Sequence, residues 1–218
     1  MTIFFPEPKT SHVAQVELTA FQCGDTVVQL AAVAPHAEFP LHHHPDCPMG
    51  MLLTGELDMT VGGTTERLIP FESLYAAGSD VSHGSQNPLA ETVQCFDVKR
   101  LVPLNSGGGT VASPIYGGHA FKDQETGLSG MHFSGEWFEV IVTEIPPGEK
   151  LPPRRSPHAH MGIVCTGQLT MEVETQEQTL EYGRIYYAPP QMLHTGYNDG
   201  GETVKLVEIQ ISGKSEWI

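Results

Sequence analysis

The chain has few basic residues, and this scarcity excludes several functions. Lys and Arg together number 11 among 218 residues, against 26 Asp and Glu, which gives a formal net charge of −15. A surface that binds nucleic acid needs clustered Lys and Arg, and an anionic membrane surface attracts the same charges. We therefore expect neither nucleic acid nor a membrane as a partner, and we interpret the acidity as favouring solubility.

Long apolar runs and paired cysteines are also absent. No apolar run approaches the roughly 20 residues that a membrane-spanning helix needs. The opening MTIFFPEPKTSH lacks the basic and apolar stretches of a secretory signal. The four cysteines form no Cys-x-x-Cys pair and are interpreted as free thiols. These absences lead us to expect a cytoplasmic protein.

Turn-forming residues are abundant by contrast, with 23 Gly and 17 Pro. They separate short apolar or alternating runs such as GMLLTGELDMTV, RLIPFESLYAA and TLEYGRIYYAP. Many short strands joined by tight turns are typical of sandwiches and barrels, so the sequence predicts an all-β fold.

The two halves of the chain repeat one sequence pattern. The segment PDCPMGMLLTGEL (45–57) aligns without gaps on PHAHMGIVCTGQL (157–169), and TVQCFDVKR (92–100) falls on TVKLVEIQI (203–211). Between these blocks, the aligned identities include Tyr75 with Tyr186, Ala77 with Ala188, His83 with His194, and Asn87 with Asn198. Similarity sustained over most of each half indicates an internal duplication. We predict one barrel in residues 1–106, a Gly-rich linker in 107–130 and a second barrel in 131–218.

Three histidines of the first half have the spacing of a metal site. His42 and His44 are two residues apart, so on a strand both side chains point the same way, whereas His43 points to the opposite face. His83, from a neighbouring hairpin, completes a face of three imidazole nitrogens. His-x-His followed by a third His and Asn87 resembles the two cupin motifs, and this resemblance implies two fused double-stranded β-helix (jelly-roll) barrels.

Longer blocks resemble a narrower family. GELDMTVGGTTERLIPFESLYAA, VSHGSQN and FDVKRL, with MHFSGEWFEVIVTEIPPGEK in the second half, are similar to the bicupin isomerases of bacilysin and aeruginosin biosynthesis. The resemblance implies a metal-dependent isomerase that moves a double bond of dihydro-4-hydroxyphenylpyruvate, formed from prephenate by decarboxylation, into conjugation with its 2-oxo acid group. It also implies a metal in each barrel, held by three His and a Gln.

This sequence departs from that ligand pattern. His42, His44 and His83 match the first set, but Pro48 replaces the Gln, leaving a position for water, substrate, Asp46 or Cys47. In the second half, Arg154 and Ser156 replace two of the histidines. Two alternatives remain there: an irregular metal site, or a metal-free pocket in which Arg154 holds a carboxylate. The residues of the irregular site are His158, His160 and His194.

The candidate catalytic residues are Tyr75, which the duplication repeats, and Arg100, beside Lys99 at the end of the FDVKRL block. Alternation along a strand lets only one of Lys99 and Arg100 face inward. Histidine ligands alone do not identify the divalent transition metal, which we expect to be Fe, Co, Ni, Mn or Zn. We expect a small 2-oxo acid as the substrate and leave a homodimer open. The alternatives are a non-haem iron cupin dioxygenase and a non-catalytic module that binds a small molecule.

Overall fold

Short strands dominate the structure, as the many Gly and Pro turns predict. A computed structural model describes residues 4–100, 115–135 and 137–211. These segments contain 21 strands of three to eight residues and no helix, so none that could cross a membrane. All four cysteines are buried and free.

The N-terminal barrel extends from Glu7 to Gly118. Its strands are β1 (Lys9–Val13), β2 (Val16–Cys23), β3 (Thr26–Val33), β4 (Glu38–His42), β5 (Pro48–Thr54), β6 (Leu57–Val61), β7 (Thr64–Leu68), β8 (Ser73–Ala76), β9 (His83–Gln86), β10 (Val93–Arg100) and β11 (Ile115–Gly117).

These strands form two antiparallel sheets, in the orders β1-β2-β3-β10-β5-β8-β11 and β4-β9-β6-β7. Neighbours such as β3 and β10 are far apart in the sequence, which is the connectivity of a jelly roll. Inward residues alternate with outward ones, as in β6, where Leu57, Met59 and Val61 are buried and Asp58 and Thr60 are half-buried. Aliphatic side chains from both sheets make one core.

The C-terminal barrel begins at His119 and also includes the described residues 4–6. Its strands are β12 (His119–Lys122), β13 (Ser129–Ser134), β14 (Phe138–Ile145), β15 (Lys150–Arg154), β16 (His160–Thr166), β17 (Leu169–Val173), β18 (Gln176–Leu180), β19 (Ile185–Ala188), β20 (His194–Tyr197) and β21 (Val204–Ile211).

The second barrel has the sheet orders β12-β13-β14-β21-β16-β19 and β15-β20-β17-β18, which repeat those of the first except for the added edge strand β11. Asn87 and Asn198 also have the same role, since each side-chain amide donates to carbonyls of neighbouring loop and strand segments. The two-barrel, all-β prediction and the duplication are therefore confirmed.

The structure differs from the predicted boundaries in two stretches. Residues 4–6, predicted in the first barrel, belong to the C-terminal barrel, because Phe4 and Phe5 pack in its core. The predicted linker differs as well. Residues 107–114 of the predicted linker lie outside the described residues, but from Ile115 onward the chain forms β11, β12 and the start of β13. A linker interpretation is wrong for these residues. The reason is that β11 and β12 bury little of their side chains, and an edge strand of this kind has the same polar, Gly-rich composition as a linker.

Candidate functional site

The three motif histidines of the N-terminal barrel converge on one point. His42 ends β4 and His83 begins β9, and the two residues are direct partners across this strand pair. His44 follows in the next loop. One ring nitrogen from each lies within 4.8 Å of the others. The ring centroids of His42 and His83 are 4.4 Å apart, and those of His44 and His83 are 4.9 Å apart.

Backbone carbonyls fix the orientation of two of these rings. Nδ1 of His42 lies 3.0 Å from the Pro40 carbonyl oxygen, and Nδ1 of His83 lies 2.9 Å from that of Val81. Because a carbonyl oxygen only accepts, each Nδ1 must carry the hydrogen. In the neutral form of each ring, Nε2 then keeps the lone pair that a metal ligand needs.

His44 provides the test of whether a metal fits. Both of its ring nitrogens are buried and lack a hydrogen-bond partner among the described residues. The closest acidic atom, Asp46 Oδ2, is 3.7 Å from Nδ1. Leaving a buried polar atom unsatisfied is costly, and a metal ion would satisfy it. The residues present thus fit a bound metal.

Burial keeps His44 and His83 in the ligating form. It lowers the pKa of His83 to about 4 and is also the main cause of a lowered pKa at His44. Both rings are then neutral near pH 7, and only a neutral imidazole can bind a metal. Among the described residues, His42, His44 and His83 are the only group of three or more His, Cys, Asp or Glu side chains close enough to hold one metal ion. Neither Asp46 nor Cys47 belongs to this group.

A cavity of about 360 Å³ adjoins this centre. His42 and His83 line it, together with Pro48 at the position where the resemblance implies a Gln. Most of the remaining wall is apolar, including Val16, Leu18, Val33, Met51, Leu57, Met59 and Leu68. The other titratable lining residues are Tyr75, Cys95, Asp97 and Lys99. An apolar cavity with a few polar groups at one side is the usual form of a small-molecule site.

The buried Tyr75 and the half-buried Asp97 form a pair in this cavity. The Tyr75 hydroxyl donates to Oδ1 of Asp97. Gly50 of β5 is the partner of both residues across the sheet, and a Cβ there would lie 2.6 Å from the Tyr75 ring and 2.7 Å from Asp97 Oδ1. Burial raises the pKa of Asp97, opposed by the Tyr75 hydrogen bond and the charge of Lys99.

Arg100, the second candidate catalytic residue, is not among the residues that line the cavity. Cys95, Asp97 and Lys99 point inward from β10, so alternation turns Arg100 to the other face. Its Nε lies 3.9 Å from Asp25 Oδ2. The geometry does not support a catalytic role for Arg100 and places Lys99 at the cavity instead.

The equivalent place in the C-terminal barrel is occupied by an ion pair. Arg154 Nε donates to Nε2 of His194 at 3.2 Å, and Arg154 Nη2 binds Oε1 of the buried Glu208. The Tyr186 hydroxyl also donates to Oε1 of Glu208, at 2.5 Å. Burial raises the pKa of Glu208, but the charge of Arg154 and the hydrogen bond from Tyr186 oppose it, and the net result is a lowered pKa. Glu208 is therefore a carboxylate at neutral pH.

His158, His160 and His194 do not form a metal site in this structure. They do not come together as a group of three ligand atoms within the described segments. Nε2 of His194 is engaged by Arg154, and Nε2 of His160 lies 2.8 Å from Gln210 Oε1. Of the two alternatives for this barrel, the geometry supports the metal-free one, because the guanidinium occupies the lone pair of His194 that a metal would use. The carboxylate that Arg154 holds is that of Glu208.

A family model described as a cupin domain matches the chain twice, over residues 29–99 and 141–210. The chain belongs to the cupin family. It is 31% identical to the H2HPP isomerase of Bacillus subtilis over 212 residues, which cover 95% of this chain and 88% of that protein.

Solved cupin structures agree with the fold. The crystal structure of AerE from Microcystis aeruginosa is 36% identical, with a TM-score of 0.90, and the match covers 96% of this chain and 99% of that one. Oxalate decarboxylase from Bacillus subtilis has a TM-score of 0.76 over 96% of this chain and 75% of its own, at 12% identity. The last likeness concerns the fold alone.

The motif histidines of this cupin were identifiable from spacing, but Asp97, Glu208 and Gln210 were missed. One signal could have found the first two. Asp97 and Glu208 fall on each other in the internal alignment, so both halves place an acid within an apolar strand. Such a position is unfavourable unless the acid has a partner, and here that partner is the aligned tyrosine of each half.

Proposed function

We propose that this protein is an isomerase of dihydro-4-hydroxyphenylpyruvate that moves a C=C bond allylically into conjugation with the 2-oxo acid. The supporting observation is that the His42–His44–His83 centre lies at an apolar cavity large enough for a small ring compound. Similarity to H2HPP isomerase over nearly the whole chain favours this reaction over the other chemistries of cupins. A biosynthetic role like that of the bacilysin and aeruginosin isomerases belongs to the same proposal.

His42, His44 and His83 would hold a divalent transition metal, and the ligand set does not select among Fe, Co, Ni, Mn and Zn. Such an ion would act as a Lewis acid, stabilising negative charge on the ketone oxygen of a 2-oxo acid. The chain itself contributes the neutral histidines and an apolar wall that excludes water from the ring of the substrate. Pro48 offers no ligand atom in place of the implied Gln and therefore leaves room at the centre.

Incubation with dihydro-4-hydroxyphenylpyruvate should produce a time-dependent change in ultraviolet absorption, because the product has a longer conjugated system. The rate should be the same with and without oxygen, since an isomerisation has no net redox change. Phenylpyruvate has the same 2-oxo acid head but no ring diene to shift, so it should inhibit and not isomerise. Product formation that requires stoichiometric oxygen uptake would instead identify a dioxygenase.

Elemental analysis of the dialysed protein should give about one tightly held metal ion per chain and not two. The physical reason is that Arg154 occupies Nε2 of His194 in the C-terminal barrel, whereas the three histidines of the N-terminal barrel have free lone pairs. A second ion that resists dialysis and is lost in the His160→Ala protein would contradict this prediction.

A further inference from the structure

The duplication places a tyrosine–acid pair in both barrels, but the two pairs differ in their surroundings. Glu208 receives hydrogen bonds from Tyr186 and from the guanidinium of Arg154. Arg154 falls on His42 in the internal alignment, so the N-terminal barrel has no guanidinium at that place. The hydrogen bond from Tyr75 is the one side-chain bond that Asp97 makes among the described residues. Asp97 therefore retains acceptor capacity, and it lines the cavity.

The other titratable groups of the cavity are less suited to accept a proton from carbon. His42 and His83 direct their lone pairs to the metal centre. Burial raises the pKa of Tyr75 and of Cys95 well above the usual values, so both remain protonated. Lys99 contributes positive charge near Asp97.

We propose that Asp97 is the catalytic base of the isomerisation, and that Tyr75 is a positioning residue that holds its carboxylate in the cavity. This inference rests on the proposed function. Tyr75 binds Oδ1, which leaves Oδ2 for the substrate. Gly50 makes the arrangement possible, because any side chain at this position would separate Tyr75 from Asp97.

The proton balance of the reaction needs only this one carboxylate. Asp97 accepts a proton from the carbon beside the ketone, and the electron pair of the broken C–H bond becomes an enolate delocalised over the adjacent ring double bond. Asp97 then returns a proton to the far carbon of that double bond, which leaves the new C=C bond in conjugation with the ketone. In an allylic shift, the carbon that loses the proton and the carbon that receives it are separated by one other carbon. A single base can therefore reach both.

The first test compares variants of the metal-loaded protein. Asp97→Asn keeps an acceptor for the Tyr75 hydroxyl but removes the basic carboxylate, so kcat should fall about 100-fold or more while metal content is unchanged. Tyr75→Phe should lower kcat with little change in KM. Its matched control is Tyr186→Phe, which removes the equivalent hydroxyl of the C-terminal barrel and should leave kcat unchanged. Wild-type turnover in Asp97→Asn, or equal kcat in the two tyrosine variants, would overturn the assignment.

The second test does not depend on isomerisation. Phenylpyruvate in D2O exchanges the hydrogens beside its ketone, and NMR follows their loss after subtraction of the buffer rate. Wild type and Tyr186→Phe should accelerate this exchange, and Asp97→Asn should not. If the wild type exchanges the hydrogens of phenylpyruvate but does not isomerise the dihydro compound, the proposed function is refuted. Asp97 would then remain the base of the exchange reaction, provided that Asp97→Asn abolishes it. No acceleration by wild type, or equal acceleration by Asp97→Asn, would refute the base.

Discussion

The His83→Ala protein should contain no tightly bound metal and show no measurable isomerisation. His83 provides one of the three ring nitrogens of the centre. The hydrogen bond from its Nδ1 to the Val81 carbonyl directs Nε2 towards the other two histidines. Loss of an outer hydrogen-bond partner of a metal ligand typically costs about 10- to 100-fold in metal affinity or activity, so loss of the ligand itself should exceed about 100-fold. Elemental analysis and the ultraviolet assay measure the two effects on one sample.

His43→Ala is the matched control, because His43 lies between two of the histidines in sequence but has a side chain 68% exposed. Its Nδ1 lies 3.8 Å from Asp80 Oδ1, and it does not belong to the group of three ligand histidines. Its metal content and rate should match the wild type. Unchanged metal content in His83→Ala would show that the ion binds elsewhere.

Arg154→Met should destabilise the C-terminal barrel by about 3 to 5 kcal/mol at neutral pH, the usual cost of leaving one partner of a buried ion pair alone. Glu208 is 4% exposed, and no other cation among the described residues bonds to it. Methionine retains the apolar stem of the arginine, so the decrease in the free energy of unfolding measures the loss of the charged group and not a loss of side-chain volume. Trp137 is buried in this barrel, so its fluorescence during urea unfolding reports on the barrel.

The destabilisation should depend on pH. In the wild type, the pKa of Glu208 is lowered, so the pair stabilises the fold above the ordinary carboxyl range and this contribution is lost as the pH falls. Without Arg154, burial raises the pKa of Glu208, so the variant loses stability as the pH rises. The difference should therefore be smaller at about pH 4 than at pH 7. A difference independent of pH would mean that the ion pair is not its cause.

Arg155→Ala provides the comparison. Arg155 is the next residue, with its side chain 52% exposed and Nη1 3.0 Å from Glu174 Oε1. An exposed pair contributes about 0 to 1 kcal/mol, so this variant should unfold close to the wild type. Equal losses in the two variants would contradict the assigned role of Arg154.

The fold was predictable because its signals are local and repeated. Alternating apolar residues, turn residues and the aligned halves together indicated two barrels. His42, His44 and His83 followed from the spacing of the cupin motifs, although His44 lies in the loop after β4 and not on the strand. The ion pair of the second barrel was less accessible. Arg154 and Glu208 are 54 residues apart, and only the antiparallel register brings them together. Sequence alone could not decide between Lys99 and Arg100, because alternation gives two opposite faces without telling which is inward.

The first residues of the chain have a consequence for how the second barrel is completed. Phe4 and Phe5 are buried in the C-terminal core, and the Phe4 carbonyl accepts a hydrogen bond from the backbone nitrogen of Tyr187, at 2.7 Å. These contacts join residues separated by most of the polypeptide, and such long-range closure slows folding. During synthesis the two phenylalanines are made long before the strands that cover them. The sequence repeat therefore does not coincide with two independent folding units: the second copy, cut at the repeat boundary, would lack part of its own core.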